Sequence, residues 1–241
     1  MQRLAMTDWH THILPAMDDG SVDAAESLAM LELSAKQGVT AVVLTPHFYP
    51  QKESPIEFFR RREESLKALE SAISNRIDQV DYFLPERILG AEVYYFAQLA
   101  SMPKEDLKNL CIGNTKMLMV EMPQEPWDES AFRCLEELIY SRNLTPVLAH
   151  IERYYKFINN IKRLESLIGE GLLVQMNAGD LLSITTRSKA IKWIVEDRVH
   201  LLGSDCHNLN TRKSNLDKAY KILNNKVGQF RTQDLFRSIA E

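Results

Sequence analysis

Ala41-Val42-Val43-Leu44-Thr45-Pro46-His47 is a β-branched apolar run that ends in a histidine, and the same figure recurs along the chain. Asp8-Trp9-His10-Thr11-His12 follows Leu4-Ala5-Met6, with Asp18-Asp19-Gly20 soon after. Gly90-Ala91-Glu92 follows Ile88-Leu89, and Glu121 closes Met117-Leu118-Met119-Val120. His150 closes Pro146-Val147-Leu148-Ala149, and Ser204-Asp205-Cys206-His207 follows Val199-His200-Leu201-Leu202. Imidazole and carboxylate are borderline and hard ligands for divalent metals, and a parallel α/β barrel delivers residues from many strand ends to one face. Nine candidate ligands so arranged are too many for one ion. The pattern predicts a multinuclear metal site, and with it a hydrolase.

Strands are expected near residues 3–9, 40–45, 86–92, 116–121, 145–149, 172–176 and 199–203. Helical spacing fills the intervals. Asp23, with Glu26 three residues on, is a plausible N-cap; Ala24, Leu28, Leu31 and Ala35 make the buried stripe behind it, and Gly38 terminates it. A second helix starts at Ser54-Pro55, where proline suits the first turn, with Phe59, Leu66, Leu69 and Ile73 on one face. Further helices are expected over 128–142, 158–168, 187–197, 213–224 and 233–240. Strand followed by helix, repeated, means a parallel sheet with helices outside. Seven such units favour a closed or nearly closed barrel over a doubly wound open sheet, which gathers its ligands at one switch point. There is no glycine- or proline-rich linker, internal repeat or low-complexity tract, so residues 1–241 are expected to form one domain.

Composition agrees. A length of 241 residues suits one α/β barrel, and 45% apolar with 26% charged residues is ordinary for a globular protein with a sizeable core. A net charge of −4 disfavours a nucleic-acid partner. No apolar run approaches the ~20 residues of a membrane span, and Met1-Gln2-Arg3-Leu4 lacks the apolar core of a signal peptide. Three cysteines cannot pair evenly and none lies in a CxxC arrangement, so the reducing cytoplasm is the expected compartment.

His10-x-His12, Asp18-Asp19-Gly20-Ser21, Thr45-Pro46-His47, Gly90-Ala91-Glu92, His150-Ile151-Glu152-Arg153-Tyr154 and Ser204-Asp205-Cys206-His207-Asn208 together resemble the PHP family, named for polymerase and histidinol phosphatase. Within it they are similar to the bacterial manganese-dependent tyrosine phosphatases of capsular and extracellular polysaccharide synthesis. The resemblance runs from Asp8 to about Arg212, in the family's order. It implies a distorted (β/α)7 TIM-like barrel holding three divalent ions. Position by position, it assigns His10, His12, Glu92 and Asp205 to the first ion, and has Glu92 bridge to a second held by Glu121 and His150. Asp19, His47 and His207 would hold a third. Arg153 and Arg212 match the family's phosphate-binding arginines, whose guanidinium fork suits phosphate better than an ammonium does. Four ligand carboxylates against three divalent ions leave surplus positive charge to attract a phosphate dianion. A water bridging two such ions ionises near neutral pH and can attack phosphorus in line. Manganese is the metal implied; a donor set without thiolate also permits Fe, Zn or Mg.

The implied reaction is hydrolysis of phosphotyrosine on a protein, the partner being an autophosphorylating bacterial tyrosine kinase that regulates polysaccharide export. Two other readings stay open: a phosphatase of a small ester such as histidinol phosphate, and a non-catalytic module that binds metal for stability and serves as a docking surface. Glu121 favours the tyrosine-phosphatase branch, and the intact ligand set disfavours the docking module.

Several other residues invite plainer readings. His200 fits no motif position and is expected to be structural. Asp8 is a candidate to orient a ligand imidazole or to sit in a turn, and Glu152 to support the site or lie on the surface. Asp19 is preferred to Asp18 as the ligand. Arg60-Arg61-Arg62 followed by Glu63-Glu64 reads as a solvated helix face, and Tyr94-Tyr95 and Tyr154-Tyr155 as packing or rim residues. Cys206 to Arg212 spells Cys-x5-Arg, the spacing of cysteine-dependent phosphatases. However, the intervening His207-Asn208-Leu209-Asn210-Thr211 lacks the glycines of a phosphate-cradling loop. Cys206 is therefore expected to pack, as are Cys111 and Cys134.

Overall fold

The structure, a computed structural model, describes residues 6–76 and 83–237. Its strands are β1 (Thr7–Thr11), β2 (Ala41–Leu44), β3 (His47–Phe48), β4 (Glu86–Leu89), β5 (Glu92–Tyr94), β6 (Met117–Glu121), β7 (Thr145–Leu148), β8 (Leu173–Asn177) and β9 (Leu201–Gly203). Helix α1 (Ala24–Lys36) follows β1, and α2 (Pro55–Ser74) follows β3. After β5 come α3 (Lys104–Leu110), then α4 (Glu129–Tyr140), α5 (Ile161–Gly169), α6 (Gly179–Leu182), α7 (Arg187–Val195), α8 (Leu216–Val227) and α9 (Gln229–Leu235). The caps sit where the sequence signals them. Asp23 accepts the Glu26 amide at 2.9 Å, and Ser54 and Glu57 form a reciprocal capping box ahead of Pro55.

The sheet is parallel throughout. β1, β2 and β4 are hydrogen-bonded in that order, and β3, β5, β6, β7, β8 and β9 continue it. Two residues separate β2 from β3 and β4 from β5, yet the ladder carries across the breaks. Gly90 donates to the Leu44 carbonyl at 2.9 Å and Glu92 to the Pro46 carbonyl at 3.0 Å. The end of β9 returns to β1: Thr11 bridges Cys206, His12 donates to the Cys206 carbonyl at 2.9 Å, and Asp205 donates to His10 at 2.8 Å. The chain is thus a mixed α/β fold around a parallel sheet curled until its last strand meets its first.

Both sheet faces are buried, which is why the strands read as unbroken apolar runs. Val43, Met119, Val147 and Leu201 cluster with Trp9 and Ile112 and with no helical residue, as expected of the concave face. Their neighbours Val42, Leu44, Leu118, Val120 and Leu148 join the larger core shared with the helices, which includes Leu28, Leu31 and Leu69. Among the described residues no helix is long and apolar enough to cross a membrane.

Some expectations need correction. Helix α3 was not anticipated, because Leu107 and Leu110 are too few apolar positions to show a period, and α6 is shorter still. Helix α9 begins at Gln229, four residues before the expected start; residues 238–240 of that expected helix, and 3–5 of the first expected strand, lie outside the described residues. The three consecutive arginines are not one solvated face, since they span too wide an arc of a helix turning at 3.6 residues per turn. Arg60 is exposed and pairs with Glu64, but Arg61 binds Glu53 at 2.7 Å. Arg62, 9% exposed, donates to the carbonyls of Gly90 and Asn109 at 2.7 and 2.8 Å, with the Phe58 and Phe59 rings each 5.3 Å from its guanidinium carbon.

His200 is structural as expected: its Nδ1 accepts the Val174 amide at 3.1 Å. Burial, assisted by Arg231, lowers its pKa to about 4. The unfolded chain therefore binds a proton that the folded chain refuses between about pH 6.5 and 4, so this residue's stability contribution is present above 6.5 and is lost as pH falls. His200→Asn, which keeps an acceptor for Val174, should remove up to about 3 kcal/mol of acid sensitivity from the wild-type profile. Urea unfolding at pH 4, 5, 6 and 7 reads this directly; parallel wild-type and variant profiles would refute it.

Candidate metal centre

Strand ends bring the candidate ligands to one rim. His10 is the penultimate residue of β1 and His12 follows that strand; His47 opens β3, Glu92 opens β5, Glu121 ends β6, and His150 lies two residues past the end of β7. Asp205 and His207 lie just past β9, and Asp18 and Asp19 on the loop after β1. Register does part of the work, because His47 and Glu92 are direct partners across β3 and β5. Close approach does the rest. A Cβ on Gly20 would collide with the His12 backbone, and one on Gly203 with the His10 side chain. His150 and Asp205 adopt left-handed backbone with φ of 32° and 53°, a conformation uncommon outside glycine and concentrated at functional sites.

Glu92, 1% exposed, is the hub. Its Oε1 lies 2.7 Å from His150 Nε2, and its Oε2 lies 3.2 Å from His10, 3.3 Å from His12 and 3.0 Å from His47. Asp205 Oδ1 is 3.7 and 3.4 Å from the Nε2 atoms of His10 and His12. Asp19 Oδ1 sits 3.6 Å from His47 and 3.3 Å from His207. Glu121 reaches His47 and His150, each at 3.7 Å. All nine residues named from the sequence therefore meet in one cluster.

Three donor groups each hold their atoms within 4.8 Å: His10, His12 and Asp205; His12, Asp19, His47 and His207; and His47, Glu92 and Glu121. The grouping differs in detail from the expected partition. His47 serves two groups, presenting Nε2 to Asp19 and Nδ1 to Glu92, whereas His150 approaches through Glu92.

The donors fit divalent ions on a direct observation. His47 Nδ1, Glu92 Oε2, Glu121 Oε2 and His207 Nε2 are buried without a hydrogen-bond partner, although acid and base atoms approach to 3.0 Å. Buried polar atoms are ordinarily satisfied; three of these orphans, on His47, Glu92 and Glu121, converge as a cation's donors would, and that on His207 belongs to the group with His12, Asp19 and His47. The imidazoles are also aimed. His10 Nδ1 faces Gln175 Oε1 at 3.2 Å, His12 Nδ1 faces Asp18 at 2.7 Å, His150 Nδ1 faces the Tyr154 hydroxyl at 3.0 Å, and His207 Nδ1 faces the Asp205 carbonyl at 2.9 Å. Each leaves Nε2 toward the cluster, the arrangement by which outer partners orient metal-ligating histidines.

Asp18 also accepts the His47 amide at 2.9 Å, so it supports two candidate ligands at once. Asp8 accepts the Ser204 amide at 2.7 Å and the His10 amide at 3.4 Å, tying the Asp205 loop to β1. Gln175 and Asn177 escaped the sequence reading, with only their position near the end of an expected strand to hint at them; Tyr154, read as a packing or rim residue, is buried and also meets the His150 ring.

Electrostatics are dominated by burial set against close opposite charges. Burial opposes protonation of His12, but Asp18 and Glu92 raise its pKa to about 10. Burial would raise Glu92, yet His10 and His150 hold it well below the carboxylate range. Glu121 is pushed up to about 7 by burial and by Glu92. Arg153 and Arg212 converge on Asp205 Oδ2 at 2.6 and 3.0 Å, joined there by Asn177 at 2.8 Å, and Arg212 also reaches Asp19 at 3.3 Å. Cys206 is buried, and burial with the nearby Asp8 carboxylate drives its thiol far above its ordinary pKa, the opposite of a nucleophile.

A curled parallel sheet with a histidine–carboxylate cluster at one rim defines the class of metal-dependent hydrolases. The chain belongs, more narrowly, to the capsular polysaccharide synthesis family CpsB/CapC, whose model matches residues 6–241. It is 30% identical to the tyrosine-protein phosphatase CpsB of Streptococcus agalactiae, over 98% of this chain and 97% of that one. It is 27% identical to the tyrosine-protein phosphatase YwqE of Bacillus subtilis, over 92% and 85%. A crystal structure from work on YwqE and Streptococcus pneumoniae CpsB, described as unique metal-dependent tyrosine phosphatases, superposes with a TM-score of 0.81 at 25% identity, over 95% of this chain and 91% of that one. Dihydropyrimidinase from Brevibacillus agri, at 11% identity and a TM-score of 0.54, shares the fold alone.

Because Glu92 touches four imidazoles, Glu92→Gln should lower bound divalent metal far more than Asp8→Asn, whose partners are backbone amides. Metal content of the two purified variants, measured by plasma emission after equal dialysis, checks this. Equal retention would remove Glu92 from the hub.

Proposed function

We propose that this chain hydrolyses phosphotyrosine on a protein, as a metal-dependent phosphatase of capsular or extracellular polysaccharide synthesis in the bacterial cytoplasm, with an autophosphorylating tyrosine kinase as its substrate. The observation that carries the reading is the set of four buried, unpartnered donor atoms within one histidine–carboxylate cluster, with two arginines at its edge. Family membership supports the same reaction.

In this reading the chain is one domain, and each interrupted pair of strands counts as a single strand of a seven-stranded barrel. Three divalent ions, manganese first, would be held by His10, His12, Glu92 and Asp205; by Glu92, Glu121 and His150; and by Asp19, His47 and His207. When bound, such ions acidify water to a nucleophile and withdraw charge from phosphate oxygens. The side chains do the remaining work. Arg153 and Arg212, which already share one carboxylate oxygen, are spaced to grip one phosphate oxygen. Tyr154, Gln175 and Asp18 keep the ligand imidazoles aimed, so little reorganisation is needed when substrate arrives. The phenolate leaving group, with a pKa of about 10, needs less protonation than an alkoxide.

Exhaustive chelation should abolish turnover of a phosphotyrosine peptide, with Mn²⁺ restoring it, and histidinol phosphate should be the poorer substrate. Activity that survives chelation but is lost in Cys206→Ser would overturn the metal mechanism; an inactive, metal-replete protein would favour the docking module. Arg153→Ala and Arg212→Ala should each retain metal while losing about ten- to a hundredfold in rate, as expected for a charge-assisted contact of roughly 1.5–3 kcal/mol. Lysine should restore only part, since it keeps the charge without the fork. Unchanged kinetics and unchanged phosphate inhibition in both would remove the arginines from the site.

A further inference from the structure

Beside the cluster lies a cavity of about 580 Å³ whose walls include Asp19, His47, Tyr49, Lys52 and Arg61. We infer that Tyr49, backed by Tyr94, is the wall against which the aromatic ring of the substrate rests, and that it selects aryl over alkyl phosphates; the inference rests on the phosphatase reading above.

Tyr49 follows His47 by two residues, so β3 places an imidazole in the cluster and a phenol just outside it. The ring centroid of Tyr49 is 5.0 Å from that of His47 and 5.7 Å from that of Tyr94, forming a row of rings that leads outward from the donors. Both tyrosines are half-buried. The phosphate end of the site borders the same space. Arg212, one of the two arginines on Asp205, also donates to Asp19, and Asp19 lines the cavity beside Tyr49.

An aryl phosphate gives the ring little freedom, because a single ester oxygen joins it to phosphorus. Once the phosphate is held between the donors and the arginines, the ring has to lie along whichever wall adjoins them. On the cavity side that wall is Tyr49. It is half-buried and lines the cavity, so part of its side chain is open to that space. Lys52 holds its ammonium 4.2 Å above the Tyr49 ring, is exposed, and has no carboxylate partner among the described residues; its flexible stem lets it yield to an incoming ring. An alkyl phosphate such as glycerol phosphate has no π-face to place there.

The test compares metal-loaded wild type, Tyr49→Ala and Tyr49→Phe on phenyl phosphate, a phosphotyrosine peptide and β-glycerophosphate, the last scored by KM or, where it is not turned over, by its inhibition constant. Loss of one aromatic contact should lower the aryl-to-alkyl selectivity of Tyr49→Ala about three- to tenfold, chiefly through the aryl KM. Tyr49→Phe, which keeps the ring, should restore it. Equal losses on aryl and alkyl compounds, or no change in their ratio, would overturn the subsite while leaving the phosphatase reading intact. Should wild type hydrolyse no ester, that reading fails, and saturation-transfer NMR with phenyl phosphate decides the subsite. Ring signals attenuated by wild type and not by Tyr49→Ala sustain it; identical spectra overturn it.

Discussion

A carboxylate buried to 1% exposure cannot stand alone, and the architecture of this protein follows from how Glu92 is accompanied. An ionised carboxyl transferred out of water is strongly unfavourable unless it is paired and hydrogen-bonded. Glu92 meets that condition with four imidazoles carried by three segments: His10 and His12 at the end of β1, His47 from β3 and His150 after β7. Segments so far apart in sequence can share one carboxylate only if the strands are parallel and end at one level. The His47–Glu92 register supplies the first contact, and the return of β9 to β1 draws Asp205 to the same centre. Closing the sheet and assembling the cluster are one requirement.

The support around the cluster shows the same economy of parts. Gln175 Oε1 faces the His10 ring and accepts the His150 amide, coupling β1 to the end of β7 through β8. Asp18 joins His12 to His47 in the same way. Arg62 holds the carbonyl of Gly90, two residues ahead of Glu92, and its charge is met by carbonyls and aromatic faces instead of a carboxylate. Burial alone lowers that guanidinium's pKa to about 10, so the cation persists at neutral pH. These residues touch the ligands or their backbone, and disturbing them would displace donor atoms without removing any.

Much of this was legible in the sequence, because the strongest signal was chemical rather than conformational. A histidine or carboxylate after six of the seven apolar runs marks both the strand and its C-terminal end, so those strand positions and the cluster's nine members could be named together; the run at 172–176 carries none of the nine. What stayed hidden depends on geometry that no single position encodes. Arg62 looked like its neighbour Arg60 until the helix was set against the sheet. Asp18 and Asp19 are adjacent and identical, yet one faces the His12 ring and the other is exposed beside His207. Gln175 reads as an ordinary polar residue in an apolar strand. Helix α3 carries two leucines, and the breaks at Thr45-Pro46 and Gly90-Ala91 are visible only through the ladder that spans them.

The electrostatic tension inside the cluster also sets the terms on which it can work. His12 and His207 have rings only 3.8 Å apart, yet their pKa values are driven in opposite directions, to about 10 and about 4. Burial penalises charge on both; Asp18 and Glu92 outweigh it at His12, and the charge of His12 then adds to the penalty at His207. One proton is thus held where several carboxylates overlap, and a second is refused. A metal ligand must be neutral imidazole, so an ion taken up at His12, as proposed, would displace that proton, and its affinity would be tied to pH. The same carboxylates that hold the proton would hold the ion. The left-handed backbone at His150 and Asp205 is strain that the surrounding contacts must sustain: Gln175 grips the His150 amide, and Arg153, Arg212 and Asn177 grip the Asp205 carboxylate. Both arginines are engaged by Asp205, so a phosphate held by them, as proposed, would compete with that carboxylate. On the proposed reading, cations bound at Asp205 would weaken its hold on the arginines, and metal loading and phosphate binding would then reinforce each other.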